Sequence, residues 1–304
     1  MPEVILPGAS GRIEGRYSPG KRPNAPIALI LHPHPKANGH MNNPVTVTLY
    51  QLFQKRGFAT LRYNSRGVGK SQGEFDSGIG ELADAATALD WLQSNNPGAS
   101  QTWVAGYQFG AYIGMQLLMR RPETDGFISV SPPSNMYDFS FLAPCPASGL
   151  FLHGTNDTVV PPVEVERVVN KLRTQKGIII DYELEEGATH FWQDHIGAVE
   201  RRVGAYLDKR LEERIRTPWK RWKTGKDDYH NRSRRADYVS AYEDMFRACS
   251  PPAAPWHVVA ANDKKWARVR SLELICDALG AGVDLRWPEP DAELKAIAEK
   301  ALGK

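Results

Sequence analysis

The sequence has few of the features that mark secreted, membrane-spanning or zinc-stabilised proteins. Its three cysteines, Cys145, Cys249 and Cys276, lie far apart and show no Cys-x-x-Cys or Cys/His ligand spacing. No run of about 20 apolar residues exists, and the N-terminus has neither a long apolar core nor a basic leader. We therefore expect a soluble, cytoplasmic protein without a cleaved signal peptide and without structural zinc.

Internal repeats and low-complexity segments are also missing, and the composition is that of an ordinary globular protein. The chain has 304 residues, of which 41% are hydrophobic and 24% charged, so it can bury a full core and has room for about two domains. The net charge is only +3, but between residues 214 and 247 basic residues outnumber acidic ones ten to five. Such an excess favours the binding of polyanions, although a solvated helix face explains the charge excess equally well.

Up to about Glu213, short apolar strands alternate with segments of helical period. This rhythm predicts an α/β fold with a doubly wound, mostly parallel sheet covered by helices on both faces. The predicted strands are Ile27–Leu31, Ala59–Tyr63, Thr102–Ala105, Gly126–Val130, Ser148–His153 and Gly177–Leu184. The predicted helices are Pro44–Arg56, Ile79–Gln93, Phe109–Arg120, Pro162–Thr174 and Ile196–Glu213.

The alternation stops where a charged helix meets Pro218, and the following segment is richer in Trp and Arg. We place a domain boundary at 213–218, which gives a first domain at 1–213 and a second at 214–304. The second domain is predicted to be small and mainly helical, with one strand at Trp256–Ala260.

The segment "VAGYQFGAYIGMQLL" (104–118) combines an apolar strand, a tight turn and a helix. It has the frame of a nucleophile elbow, Gly-x-Ser-x-Gly, in which a strained turn holds a serine hydroxyl above the sheet. In this chain the frame is Gly106-Tyr107-Gln108-Phe109-Gly110, so glutamine occupies the nucleophile position.

Two further residues follow the elbow in the order that a hydrolytic triad requires in this fold. Asp157 lies in the loop after one apolar strand, and His190 lies in the loop after the next. The acid would orient the histidine, which would serve as general base. The oxyanion-hole donors would be the N–H of Phe109 and a group in the loop around His34. Histidines in that loop could suggest a metal, but without acidic ligands nearby we expect none.

The stretch "SRGVGKSQG" (65–73) contains Gly-Lys-Ser and invites a nucleotide-binding interpretation. A phosphate loop needs a first glycine five residues before Gly69, and that position is Asn64. The segment also continues as a loop before any helix begins. We therefore expect no ATP site here.

Residues 1 to about 213 resemble the α/β-hydrolase superfamily, in particular small bacterial enzymes related to dienelactone hydrolases. The resemblance rests on "HPHP" with "MNN", "RYNSRGVGKSQGEFD", "GYQFGA", "HGTNDTVVP" and "GATHFW". It implies the acid and base roles for Asp157 and His190, and the oxyanion-hole role for Phe109 and the His34 region. Family members carry serine where this chain has Gln108. The longer side chain would reach into the acyl pocket, and we expect its amide oxygen to accept hydrogen bonds there or from His190.

Residues 217 to about 279 resemble the C-terminal part of family-2 polyphosphate kinases. The resemblance rests on "WKRWK" (219–223), on the segment from Asp237 to Phe246, on "APW" (254–256) and on "NDK" (262–264). The phosphate-cradling loop and magnesium-binding acids of that family would have to precede this fragment, where hydrolase sequence stands instead. Of that family's functional features, the resemblance therefore implies only a basic, anion-facing surface in this fragment. Its candidate residues are Lys220, Arg221, Lys223, Arg232 and Arg268.

Three functions remain open from the sequence. The chain is a serine ester or acyl hydrolase scaffold inactivated at Gln108, or an active hydrolase in which His190 and Asp157 activate water, or an anion-binding protein related to phosphotransferases. The partners expected are a small ester or acyl ligand and polyphosphate or another polyanion, with nucleic acid and membranes disfavoured. No cofactor is expected.

Overall fold

The computed structural model describes residues 3–216, 235–252, 254–260 and 264–283, and a few single positions beyond them. The chain divides into two compact units, residues 1–228 and 229–304. The predicted domain boundary at 213–218 stays a prediction, and the last helix before it continues to Arg216.

Eight strands form one sheet in the first unit. They are β1 Glu3–Gly8, β2 Gly11–Ser18, β3 Ile27–Leu31, β4 Ala59–Tyr63, β5 Thr102–Tyr107, β6 Gly126–Val130, β7 Ser148–Gly154 and β8 Ile180–Glu185. Their order in the sheet is β1-β2-β4-β3-β5-β6-β7-β8. The pairs from β4 to β8 are parallel, whereas β1–β2 and β2–β4 are antiparallel. The predicted doubly wound, mostly parallel sheet is confirmed.

Four helices connect strands of the sheet, and a fifth follows β8. They are α1 Pro44–Lys55, α2 Ile79–Ser94, α3 Phe109–Arg120, α4 Pro162–Arg173 and α5 Ile196–Arg216. The start of α1 follows from local chemistry, since Pro44 needs no N–H at the first position and the Asn43 side chain accepts from Val45 N at 3.0 Å. At the start of α2, Glu81 reaches back and accepts from Gly78 N at 2.7 Å.

The helices cover both faces of the sheet because successive strand residues point to opposite sides. On β3, Ala28 and Ile30 join the core beneath α1 and α5, while Leu29 faces α2 and α3. A third apolar cluster lies under α4 at the β6–β7 end. Every residue of β3, β5 and β6 is buried, as expected for central parallel strands.

One element was not predicted and another is shifted. No strand was predicted before Ile27, where the β1–β2 hairpin lies at the sheet edge. An edge hairpin buries only part of itself: Leu6 and Ile13 are its fully buried apolar side chains, whereas Ile5 is 51% exposed. The predicted strand Gly177–Leu184 begins at Ile180 and ends at Glu185 instead.

In the second unit the bounds of two helices are described, α6 Arg235–Ala248 and α7 Lys264–Gly280, and single positions near the C-terminus are also helical. The mainly helical character is therefore confirmed. The predicted strand at Trp256–Ala260 is wrong, because this stretch has no regular secondary structure. Its β-branched residues have no partner strand among the described residues to complete their hydrogen bonding, and Trp256 and Val258 are exposed.

None of the described helices is long and apolar enough to cross a membrane.

Candidate active site

Gln108 lies in the sharp turn between β5 and α3, with φ 51° and ψ −119°. This region is strained for a residue with a side chain. The surrounding backbone holds it there. Gln108 N donates to Val130 O at 2.9 Å, and its carbonyl accepts from Ala111 N and Tyr112 N at 2.9 and 3.2 Å. The geometry of an elbow is therefore present although the serine is not.

The two glycines of the frame permit this close packing. A Cβ at Gly106 would collide with the carbonyl oxygen of Gly110, and a Cβ at Gly110 would collide with the backbone oxygens of Leu31 and His32. Since backbone atoms cannot move aside as a flexible side chain could, both positions require glycine. The start of α3 can thus lie directly against the end of β3.

The Gln108 side chain is held by its neighbour Tyr107. Gln108 Nε2 donates to Tyr107 Oη at 2.8 Å, and Tyr107 Oη donates to the backbone oxygen of His190 at 2.8 Å. The predicted hydrogen bonds from the oxyanion hole or His190 to the Gln108 amide oxygen are not among the contacts of the described residues. The amide instead bonds through Tyr107 to the loop that carries the histidine. Nothing in the sequence indicates this contact, because side chains of adjacent residues at the end of a strand are expected to point to opposite sides.

Asp157 and His190 come together in the loops that follow β7 and β8. The His190 Nδ1 atom lies 2.7 Å from Asp157 Oδ2, and both side chains are buried. Asp157 Oδ1 accepts from Val159 N and Val160 N at 3.0 and 2.8 Å. Burial would raise the pKa of Asp157, but the hydrogen bonds from His190 and Val160 outweigh it and hold the pKa below its ordinary value. The carboxylate is therefore ionised and fixes His190 through Nδ1.

A second histidine, His153, faces the same carboxylate and was not singled out from the sequence. It lies on β7, is fully buried, and its Nε2 atom is 2.8 Å from Val160 O and 3.3 Å from Asp157 Oδ2. Burial lowers the pKa of His153, which favours the neutral ring. A neutral ring that carries its proton on Nε2 can donate to both oxygens. His153 thus supports the loop that carries Asp157. The feature of the sequence that could have pointed to it is its position at the end of an apolar strand, just before that loop.

The predicted oxyanion-hole residues lie together. His34 caps the short 3₁₀ helix Pro35–Ala37, where its Nδ1 accepts from Lys36 N at 3.1 Å. Its ring centroid lies 4.7 Å from that of Phe109 and 4.8 Å from that of Phe75. The ring therefore packs on the first residue of α3. The oxyanion-hole role of Phe109 and His34 stays a prediction.

The other histidines of this loop also serve local structure. His32 Nδ1 lies 2.6 Å from Pro33 O, and its Nε2 accepts from Ser65 N at 3.0 Å. Burial lowers the pKa of His32 to about 4, so the ring is neutral at physiological pH. His40 Nδ1 accepts from Asn42 N at 3.1 Å. Among the described residues, no three histidine, cysteine or acidic side chains come close enough to form a metal site.

The Gly-Lys-Ser segment is a loop in the structure, as expected, and α2 begins only at Ile79. Lys70 Nζ bonds to Glu3 Oε1 at 2.7 Å on the surface. Nothing in this geometry resembles a phosphate loop.

A cavity of about 250 Å³ lies between the β6–β7 connection and α4. Its walls include Tyr137, whose ring centroid lies 5.7 Å from that of Phe109. Neither Gln108 nor the Asp157–His190 pair lines it.

The proposed polyanion residues can be located only in part. Arg268 is exposed on α7. The other four candidates, Lys220, Arg221, Lys223 and Arg232, lie outside the described residues.

The family model for serine aminopeptidase S33 matches residues 39–145, which include the elbow. A protein of unknown function from Agrobacterium tumefaciens, assigned to the alpha/beta hydrolases, is 57% identical, with a TM-score of 0.68, over 69% of this chain and 97% of its own. This chain belongs to the α/β-hydrolase family. The alpha-beta serine hydrolase homologue from Coxiella burnetii is 30% identical, with a TM-score of 0.61, over 68% of this α/β-hydrolase chain and 97% of its own. An uncharacterised protein of Rickettsia prowazekii is 50% identical over 68% of this chain and 89% of its own.

The end of the α/β-hydrolase chain has a second similarity. The family model for polyphosphate kinase 2 matches residues 205–283. A polyphosphate:AMP phosphotransferase of Pseudomonas syringae pv. tomato is 45% identical over 71 residues, which are 23% of this chain and 14% of that relative. The chain thus spans only a small part of the phosphotransferases that it matches.

Proposed function

We propose that the first unit is a serine-hydrolase scaffold that binds a small ester or acyl ligand and is inactivated by glutamine at the nucleophile position. The observation that carries the proposal is Gln108 at φ 51° in a turn of elbow geometry, beside an intact Asp157–His190 pair. A carboxamide has no hydroxyl that a histidine base could convert into an attacking oxyanion. Acyl-enzyme formation at residue 108 is therefore excluded on chemical grounds.

A different route would keep the chain active without a nucleophilic side chain. His190, oriented by Asp157, would remove a proton from a water molecule, which would attack the ester carbonyl directly. The Gln108 amide donates to Tyr107 Oη. This contact gives no support to a role for Gln108 in holding the attacking water, and none to the idea that Gln108 blocks His190. The two routes differ in whether His190 controls any ester turnover.

Ester turnover by the unchanged chain should remain near the rate of its His190→Ala variant. Without a nucleophile, a comparable triad loses about 10⁶ in turnover, and the residual rate comes from binding and the oxyanion hole rather than from the histidine. The measurement is p-nitrophenyl acetate hydrolysis by both proteins, with His195→Ala as a control at another histidine of the same connection. A rate that His190→Ala abolishes and His195→Ala leaves unchanged would overturn the inactive scaffold and support the water route.

A second candidate function is the binding of polyphosphate by the C-terminal part, supported by the match of residues 205–283 to polyphosphate kinase 2. The match includes five cationic candidates, and binding by several cations to a linear polyanion depends on counterion release. No transfer of phosphate is proposed, because the hydrolase domain stands where the catalytic part of that family would be.

Polyphosphate binding should weaken about tenfold or more when Lys220→Ala and Arg221→Ala are combined, and should fall steeply as salt rises. Fluorescence anisotropy of a labelled polyphosphate measures both effects. The matched control removes two exposed cations from the hydrolase domain, Arg120→Ala with Lys171→Ala. Equal losses in both double variants would mean that net charge alone attracts the polyanion, and the candidate surface would then be rejected.

A further inference from the structure

On helix α7, Lys264–Gly280, the half-buried and the exposed residues among those described lie on opposite sides. Ala267, Arg270, Ser271 and Leu274 are half-buried, and their spacing of three and four residues places them on one side of the helix. The opposite side carries Val269, Leu272, Cys276 and Leu279, with Ile275 on its flank; Val269, Leu272, Ile275 and Leu279 are 57%, 62%, 53% and 73% exposed. Cys276 is exposed as well.

These exposed residues follow the spacing of a coiled-coil seam. The intervals from Val269 through Leu272 and Cys276 to Leu279 are three, four and three residues, which are the a and d positions of two heptads. Val269 and Cys276 take the a positions, and the two leucines take the d positions. A β-branched residue at a with leucine at d favours parallel two-stranded pairing.

The charges beside the seam are complementary to a second copy of the same helix. Arg268 occupies the g position before Val269, and Glu273 occupies the e position of the next heptad. In a parallel dimer the g residue of one helix meets the e residue of its partner, so two Arg268–Glu273 pairs form across the twofold axis. Within its own helix Glu273 Oε2 also bonds to Arg270 Nη1 at 2.9 Å. Arg270 is half-buried and Glu273 exposed, and an i,i+3 pair on one helix contributes little, so Glu273 can exchange this partner for Arg268 of the second copy.

We propose that α7 is a self-association surface, on which two copies of this chain pair through parallel α7 helices. The shared seam and the self-complementary charges select a second copy over an unrelated apolar partner. Two heptads bury a small area, so the dimer should be weak and its population should depend on protein concentration.

Cys276 gives a direct test, because an a position faces its own counterpart only when the helices are parallel. In the full-length Cys249→Ser protein, mild oxidation should link two chains through Cys276, since Cys145 is buried. The control moves the thiol by one residue, in Cys249→Ser with Cys276→Ser and Asp277→Cys, where it lies outside the seam and should link about tenfold more slowly. Equal rates at the two positions would indicate random collision and overturn the proposal.

The charge pairs are tested by exchange. Arg268→Glu should weaken the dimer about tenfold by placing like charges together, and adding Glu273→Arg should restore it. Light scattering across a range of concentrations measures both, and Leu272→Asp should give a monomer. A wild-type chain that is monomeric at every concentration, or a double exchange that fails to restore pairing, would overturn the parallel arrangement.

Discussion

Replacing Gln108 with serine is expected to convert a chain that a fluorophosphonate does not label into one labelled stoichiometrically at position 108. The elbow backbone, the glycines beside it and the Asp157–His190 pair are already in place. A serine hydroxyl at this position would be the only part of the triad that has to be supplied. Since nucleophile loss costs about 10⁶ in a comparable triad, ester turnover should rise by about 10³-fold or more.

The matched control is Gln108→Ala, which removes the amide and its bond to Tyr107 but adds no nucleophile. It separates the gain of a hydroxyl from the mere opening of the site. Intact-mass analysis after labelling, with p-nitrophenyl acetate turnover beside it, gives both readouts. If neither Gln108→Ser nor Gln108→Ala is labelled, the acid, base and oxyanion hole are not assembled for catalysis, and the inactive-scaffold proposal loses its main support.

The second large effect concerns Asp157 in the Gln108→Ser background. Asp157→Asn should lower ester turnover by about 10⁴-fold, as the loss of the orienting carboxylate does in a comparable triad. The remaining asparagine oxygen can still accept from Val159 N and Val160 N, which leaves the NH₂ group facing His190 Nδ1. That group would donate to Nδ1 and keep the proton of the neutral ring on Nε2, where the base needs a lone pair.

The control for this substitution is Asp181→Asn, which breaks a surface pair with Lys209 at 3.1 Å. Asp181→Asn also removes one negative charge, here from β8, and should change turnover less than about threefold, because a surface ion pair contributes little. An equal loss in Asp181→Asn would show that general destabilisation, not histidine orientation, explains the effect.

The same carboxylate links stability to pH. The folded-state pKa of Asp157 is lowered, so ionised Asp157 stabilises the fold above the unfolded-state pKa of about 3.9. That contribution is lost as the pH falls through the folded-state value. The difference in the free energy of unfolding between the parent and Asp157→Asn, measured with urea, should therefore be constant near neutral pH and shrink below about pH 4.

Local sequence patterns were sufficient for much of the hydrolase domain. The alternation of apolar strands and helical segments predicted β3 to β8 and α1 to α5, because period and turn residues are properties of short segments. The elbow, too, could be predicted from a short segment of sequence. Gly106 and Gly110 mark the turn, and the sequence alone shows that glutamine, not serine, occupies position 108.

Partly buried or unpaired segments were harder to predict. The β1–β2 hairpin has one short apolar run, Val4 to Leu6, and is held in the sheet by the pairing of β2 with β4, which is not visible in the local sequence. The segment Trp256–Ala260 has strand-like residues, but β-propensity forms a strand only where a partner completes the hydrogen bonds. Sequence pattern could not distinguish these two cases.

The sequence by itself determined the order of the chemical groups, namely an elbow with glutamine followed by Asp157 and His190 on successive strand-end loops. Only the tertiary structure decided how they meet: the 2.7 Å contact of His190 with Asp157, the burial of His153 against the same carboxylate, and the bond of Gln108 to Tyr107. It also decided that the seam of α7 is exposed. The physical reason is that contacts and burial depend on groups brought together from distant parts of the chain, whereas helical period and turn chemistry are set by near neighbours.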